Sequence, residues 1–206
     1  MWIIAGPNGA GKTSFAGRFL ANLGHNNLIK LNADERTLEL RKEFPDAEQK
    51  DLNYQAANEI DQKVVDCING GHSFVVETVL SSPKYRDDVL AAKDKGFKIG
   101  LIYVSLYPPE LSPQRVSERV AKGGHTVPYE KALNRHRDSH KELSWFAPQA
   151  DTLFVFDNSD SNNKPVLVAL RGAGKPMKYL VPYVNPALDN ALKGMLPKAR
   201  KSDLTP

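Results

Sequence analysis

Short apolar runs alternate with amphipathic stretches along this chain. Trp2-Ile3-Ile4-Ala5, Leu28-Ile29-Lys30-Leu31, the run centred on Phe74-Val75-Val76, Phe97 to Val104 and Leu153 to Phe156 read as buried strands. Between them the apolar period lengthens to that of a helix. Thr13 to Leu23 sets Phe15, Phe19 and Leu20 at helical spacing, and a shorter helix is expected over Glu35 to Phe44. Asp46 to Asn69 carries Leu52, Ala56, Ile60, Val64, Cys67 and Ile68 on one face and ends at Gly70-Gly71. Ser82-Pro83 starts a further helix, with proline in its first turn and Lys95-Gly96 at its end. Ser112-Pro113 opens another, and Tyr129 to Phe146 follows. Val166 to Leu170 and Met177 to Val181 suggest a peripheral hairpin, and a short helix and polar tail follow from Asn185. Strands that alternate with helices need right-handed crossovers, so the expected class is α/β, with a mainly parallel central sheet flanked by helices.

The chain has 206 residues, enough for one domain of this kind. The expected layout is a single domain over 1–182 and a C-terminal extension over 183–206. Hydrophobic residues make up 41%, which suits a globular core, and no run approaches the roughly 18 apolar residues a membrane span needs. The N-terminus does not read as a signal peptide, because its apolar run stops after Ala5. A single cysteine, Cys67, excludes an internal disulfide and a cysteine-rich metal site, and its apolar neighbours mark it as a buried thiol. These features fit a cytoplasmic protein. The net charge of +4 suits anionic ligands. Basic residues concentrate between Arg115 and Arg137 and in the tail Lys198-Ala199-Arg200-Lys201, without the aromatic interleaving of a single-strand groove, so nucleic acid is not the expected partner.

One stretch changes the picture. Gly6-Pro7-Asn8-Gly9-Ala10-Gly11-Lys12-Thr13 fits G-x-x-x-x-G-K-[ST] at every fixed position, directly after a strand and before a helix. Glycines let the backbone wrap around phosphate oxygens, and the helix that follows presents its free N–H groups and positive dipole end to them. Lys12 is expected to reach the β- and γ-phosphates, and the Thr13 hydroxyl to ligate Mg²⁺. ATP and Mg²⁺ are therefore the expected cofactors, and a P-loop NTPase or kinase fold the expected architecture.

Strand-to-helix turns at the carboxyl edge of a parallel sheet are where ligands sit. Asp34, after the second strand, is a candidate site residue and equally a candidate helix N-cap. Glu77 and Thr78 end the Phe74 strand. A carboxylate there needs a function or a partner, and Lys84, Arg86 and Lys93 are available as structural partners. The basic helix–glycine–helix segment, about residues 112–146, has the composition of a lid that closes over phosphates; a solvated helical hairpin is the plainer alternative. His125, beside Gly123-Gly124, reads as a turn residue or helix-cap partner, with contact to phosphate or substrate as the functional alternative. Asp157-Asn158-Ser159 reads as a turn near the nucleotide base rather than a metal ligand.

Taken together, Ala5 to Thr13, Asn32-Ala33-Asp34, Val76-Glu77-Thr78, Arg119 to Val127-Pro128 with Arg135, and Phe156-Asp157-Asn158-Ser159 resemble the zeta toxin family of small kinases, over roughly residues 1 to 160. The Gly123 to Pro128 segment is similar to chromosomal, stand-alone members more than to plasmid toxins. The resemblance implies a phosphotransferase that uses ATP and Mg²⁺ on the hydroxyl of a UDP-activated amino sugar, and a small antitoxin as a partner. It implies Asp34 as the acid that accepts the acceptor's proton, Lys12 and Thr13 as phosphate and Mg²⁺ residues, and Glu77 with Thr78 beside the substrate. It implies Arg119 and Arg135 as the pair that grips the triphosphate. Two other readings use the same parts: a kinase of another metabolite or of a nucleic-acid 5′-hydroxyl, and a non-catalytic ATP-binding protein.

Overall fold

The computed structural model describes residues 1–121, 126–160, 162, 164–181 and 185–195. Seven strands form one sheet: β1 (Trp2–Ala5), β2 (Ile29–Asn32), β3 (Phe74–Thr78), β4 (Gly100–Ser105), β5 (Thr152–Asp157), β6 (Val166–Arg171) and β7 (Lys178–Tyr179). Their spatial order is β2-β3-β1-β4-β5-β6-β7. The first five are mutually parallel, and β6 and β7 add an antiparallel hairpin at one edge, as the sequence suggested.

The helices are α1 (Lys12–Asn22), α2 (Ala33–Glu43), α3 (Gln49–Asn69), α4 (Arg86–Asp94), α5 (Leu111–Val120), α6 (Tyr129–Gln149) and α7 (Pro186–Leu192). Alternate strand residues point to opposite faces, and both faces are covered. On one face Ile4, Val75, Ile102 and Val104 pack with Leu20, Phe15 and Phe19 of α1. On the other, Ile3, Phe74, Val76, Leu101 and Val155 pack with α3, α4, α6 and α7. The predicted α3 face is buried at all six positions, including Cys67.

Several boundaries move for local reasons. α2 starts at Ala33, because the Asn32 side chain accepts the N–H groups of Asp34 and Glu35; Asn32 is the N-cap, and Asp34 sits in the first turn. α3 begins at Gln49 rather than Asp46. β4 begins at Gly100 rather than Phe97. A 3₁₀ turn, Pro83–Tyr85, precedes α4. α6 runs on to Gln149 despite Pro148.

The segment expected as a lid is fixed at both ends. The Ser112 hydroxyl donates to the carbonyl of Asn8, and Leu143 and Phe146 of α6 belong to the core. The expected hinge Gly123-Gly124-His125 lies outside the described residues. The expected boundary at 182/183 does not separate an appendage: Leu188 and Leu192 of α7 are fully buried in the same core as the sheet.

Candidate active site

Because β1 to β5 are parallel, their carboxyl ends meet along one edge, and the turns that leave them gather the polar residues. The turn after β1 is wrapped tightly enough to exclude side chains. A Cβ on Gly6 would lie 2.0 Å from the Val104 carbonyl oxygen, and one on Gly9 3.0 Å from both Arg115 Cβ and the Ser112 carbonyl oxygen. Both glycines have positive φ, +143° and +76°. Gly11, at the N-cap of α1, is also left-handed, so the helix opens directly behind the loop.

Lys12 is 9% exposed and folds back over this turn, where its ammonium donates to the Gly6 carbonyl at 2.9 Å and the Pro7 carbonyl at 3.1 Å. Thr13 Oγ1 donates to Glu77 Oε1 at 2.8 Å. Asn32 Nδ2 donates to Glu77 Oε2 at 3.3 Å. One carboxylate thus ties the ends of β2 and β3 to the first turn of α1. The structural partners considered for it are engaged elsewhere: Lys84 with Asp61, Arg86 with Glu142, and Lys93 with Gln149. Asn8 Oδ1 is buried in the loop with no hydrogen-bond partner among the described residues.

Charge interactions couple the remaining candidates to Lys12. Burial pulls the Lys12 ammonium down from its ordinary range. Glu77 and then Asp34 act against that, and Arg119 and Arg135 add to it. Burial also pushes the Glu77 carboxyl above its usual range, in spite of Lys12 and the Thr13 hydrogen bond. Arg135 is lowered by burial and drawn back by Asp34. A cavity of about 230 Å³ opens between these groups, with Lys12, Asp34, Glu77 and Arg135 on its walls and Thr78, Ser81 and Tyr85 farther along. The Thr78 hydroxyl accepts the N–H of Leu80 and so shapes the turn after β3.

On the far side of the loop, Gly11, Ser14, Phe15 and Arg18 face Asn158 and Lys164 across a groove of about 480 Å³. Asn158 Nδ2 donates to the Ala10 carbonyl at 2.9 Å. Arg115 holds the carbonyls of Asn158 and Ser159 at 2.7 and 2.9 Å. Sequence reasoning placed Arg115 only within a basic helix and did not single out Ser112, Asn32 or Asn158 as anchors. Asn32 carried a signal, a polar cap directly between a strand and a helix. Asn158 was legible as part of a turn near the nucleotide base, but its bond to Ala10, like that of Ser112 to Asn8, spans too much chain to be read locally, 148 and 104 residues. Asp157 is a turn residue, as expected: its Oδ1 accepts the N–H of Ser159.

The family model described as Zeta toxin matches residues 1–164 of this chain. The chain belongs to the Zeta toxin family. Among solved structures, the AvrRxo1-ORF1:-ORF2 complex with ATP is similar at 18% identity and a TM-score of 0.67, covering 94% of this chain. This chain spans 62% of that one's length. A structure from the PezAT chromosomal toxin-antitoxin system of Streptococcus pneumoniae matches with a TM-score of 0.56 at 18% identity, over 81% of this chain and 70% of that one. No curated protein matches the chain. The fold is that of P-loop kinases. Among the described residues no helix is long and apolar enough to cross a membrane.

Proposed function

We propose that this zeta toxin-type protein is an ATP- and Mg²⁺-dependent kinase that transfers the γ-phosphoryl group to a hydroxyl of a small molecule. The observation that carries the reading is the cavity between Lys12 and Asp34. A phosphate loop forms one side of it, and a carboxylate stands at the other with two arginines near by. A protein that only binds ATP has no use for a second carboxylate beside the phosphates.

The residues divide into a donor half and an acceptor half. The backbone of Gly6 to Thr13 cradles the triphosphate, and Lys12 leaves its two carbonyl partners to reach the β- and γ-phosphates. The nucleoside lies in the groove between α1 and Asn158. Thr13 Oγ1 and Glu77 Oε1 are adjacent hard oxygen donors beside the loop, the chemistry that suits Mg²⁺. These two residues would hold the ion, directly or through water. When bound it neutralises charge on the β- and γ-oxygens. Asp34 orients the acceptor hydroxyl and takes its proton as the oxygen attacks the γ-phosphorus. The bond to the β–γ bridging oxygen breaks, and ADP leaves. Arg119 and Arg135 stabilise the charge spread over the transferring group, a contribution of about 10³–10⁵ in related chemistry. Glu77 and Thr78 line the side where the acceptor enters.

The resemblance to zeta toxins makes a UDP-activated amino sugar the first acceptor to try and a small antitoxin the partner class to look for. Phosphorus NMR of ATP·Mg²⁺ with UDP-N-acetylglucosamine, other sugar nucleotides, free metabolites and a 5′-hydroxyl oligonucleotide tests both reaction and acceptor. A new phosphomonoester on one acceptor establishes the kinase and its substrate. Tight ATP binding with no product on any of them would turn the reading to a non-catalytic nucleotide binder.

A further inference from the structure

The segment beyond the family match carries one side chain that the kinase reading does not use. Asn185 is 1% exposed, and every hydrogen-bonding position of its carboxamide is filled. Oδ1 accepts the N–H groups of Ala187 at 3.1 Å and Leu188 at 3.4 Å, which caps α7. Nδ2 donates to Ser105 Oγ at 2.8 Å and to Asp157 Oδ2 at 2.9 Å, at the carboxyl ends of β4 and β5.

The directions of the neighbouring bonds then follow. Ser105 Oγ lies 2.6 Å from His140 Nε2, and His140 Nδ1 lies 2.8 Å from the carbonyl of His136. That carbonyl can only accept, so Nδ1 carries the proton, Nε2 accepts, and Ser105 is the donor to it. Asp157, held on one oxygen by Asn185, accepts the N–H of Ser159 on the other at 3.0 Å. The Ser159 hydroxyl accepts the N–H of Tyr107 at 2.7 Å, and the Asn158 N–H donates to the Ser105 carbonyl at 3.0 Å. Asn158 in turn reaches the phosphate loop through Ala10. The path from Asn185 to the loop is therefore continuous and directional, buried at Asn185 and partly buried from Asp157 onward.

We propose that Asn185 is a positioning residue for the nucleotide: the C-terminal segment that starts α7 braces the Asp157-Asn158-Ser159 turn, and so sets the nucleoside side of the site. This rests on the kinase reading for the place of ATP. A helix cap alone needs an acceptor, which serine or aspartate also supplies. The two amide donors, and their burial against a carboxylate at the carboxyl edge of the sheet, are what capping does not require. The brace bears first on the turn that walls the nucleoside groove and meets the phosphate cradle through the single Asn158–Ala10 bond, so its loss weakens ATP more than a bare polyphosphate.

The test is direct binding, by titration calorimetry, of ATP and of inorganic triphosphate to the full chain and to N185S, well below the melting temperature of each. N185S keeps the cap and loses both donors. The expected result is an ATP Kd raised roughly tenfold, one lost hydrogen bond to a charged group, with triphosphate affinity unchanged. N185D is the second variant: it also keeps the cap, but it donates to Asp157 only when protonated. Its ATP affinity should recover as pH falls from 8 to 6, while that of the wild type stays level. Wild-type ATP affinity in N185S, an equal loss for ATP and triphosphate, or a pH-independent N185D would each overturn the brace. A wild type that binds neither ligand would sink the nucleotide site itself, and the brace with it.

Discussion

Replacing Glu77 by glutamine removes one charge and almost no volume at the point where the phosphate loop meets the acceptor cavity. In the wild type, Oε1 accepts from Thr13 at 2.8 Å and Oε2 from Asn32 at 3.3 Å. Asn32 cannot turn round to help, because its oxygen caps α2 through Asp34 and Glu35. The new amide oxygen therefore stays with Asn32, and its NH₂ faces Thr13, which must become an acceptor. One charge-assisted hydrogen bond is lost, about 1.5–3 kcal/mol. Burial holds the Glu77 carboxyl above its ordinary range, so removing the buried charge works against that loss. Stability should stay within about 1 kcal/mol, a Tm change of at most about 2–4 °C for a chain of this length. Metal binding has no such offset, and removing a carboxylate at a metal site weakens affinity by about 10–100-fold. Initial rates against Mg²⁺ at saturating ATP should show that increase in the half-saturating concentration. Nucleotide affinity in EDTA should not weaken, since a negative charge has left the surroundings of the triphosphate. An unchanged Mg²⁺ dependence with a raised acceptor KM would refute the metal assignment and leave Glu77 on the acceptor side alone.

Asp34→Asn should lower kcat by about 10²–10⁴ and leave the ATP Kd unchanged, read by pre-steady-state phosphoryl transfer and calorimetry; near-wild-type transfer would remove Asp34 as the base. Arg119→Ala and Arg135→Ala should cost at least as much in kcat as Asp34→Asn in the same assay. Gly6→Ala places a Cβ 2.0 Å from a backbone oxygen of β4 at a φ of +143°, so it should cost about 2–5 kcal/mol and lower Tm by roughly 4–20 °C; a shift under about 2 °C would mean the turn yields freely. His140 is held neutral by burial, down to about 4. The unfolded chain takes up a proton below about pH 6.5 that the folded chain refuses until about pH 4. This contribution is therefore intact above pH 6.5 and lost as pH falls toward 4, on the order of 3 kcal/mol. Chemical denaturation of the wild type and H140N at pH 7 and 4.5 should show the steeper loss in the wild type, and equal slopes would contradict it.

The sequence by itself determined the parallel core and the glycine turn that leads from β1 into α1. Runs such as Phe74-Val75-Val76 bury both faces of a sheet whatever their neighbours, and Gly6 to Thr13 is a local device whose strand, turn, lysine and helix are contiguous. Asp34 and Glu77 could be nominated because they fall at strand ends, whereas Arg119 and Arg135 followed only from the resemblance to zeta toxins. Tertiary structure decided what those residues meet. Asn32 displaced Asp34 as the cap of α2 because it holds the extended position just before the helix, whereas Asp34 already lies in the first turn. Glu77 turned to Thr13 and Asn32, across 64 and 45 residues, rather than to the lysines and arginine nearer in sequence, because β3 lies between β1 and β2 in the sheet. The C-terminal helix reads as a polar afterthought until Asn185 is seen against Ser105 and Asp157. Periodicity reports which face of an element is buried. Hydrogen bonds between elements depend on strand order and on the register of crossovers, which local sequence does not encode.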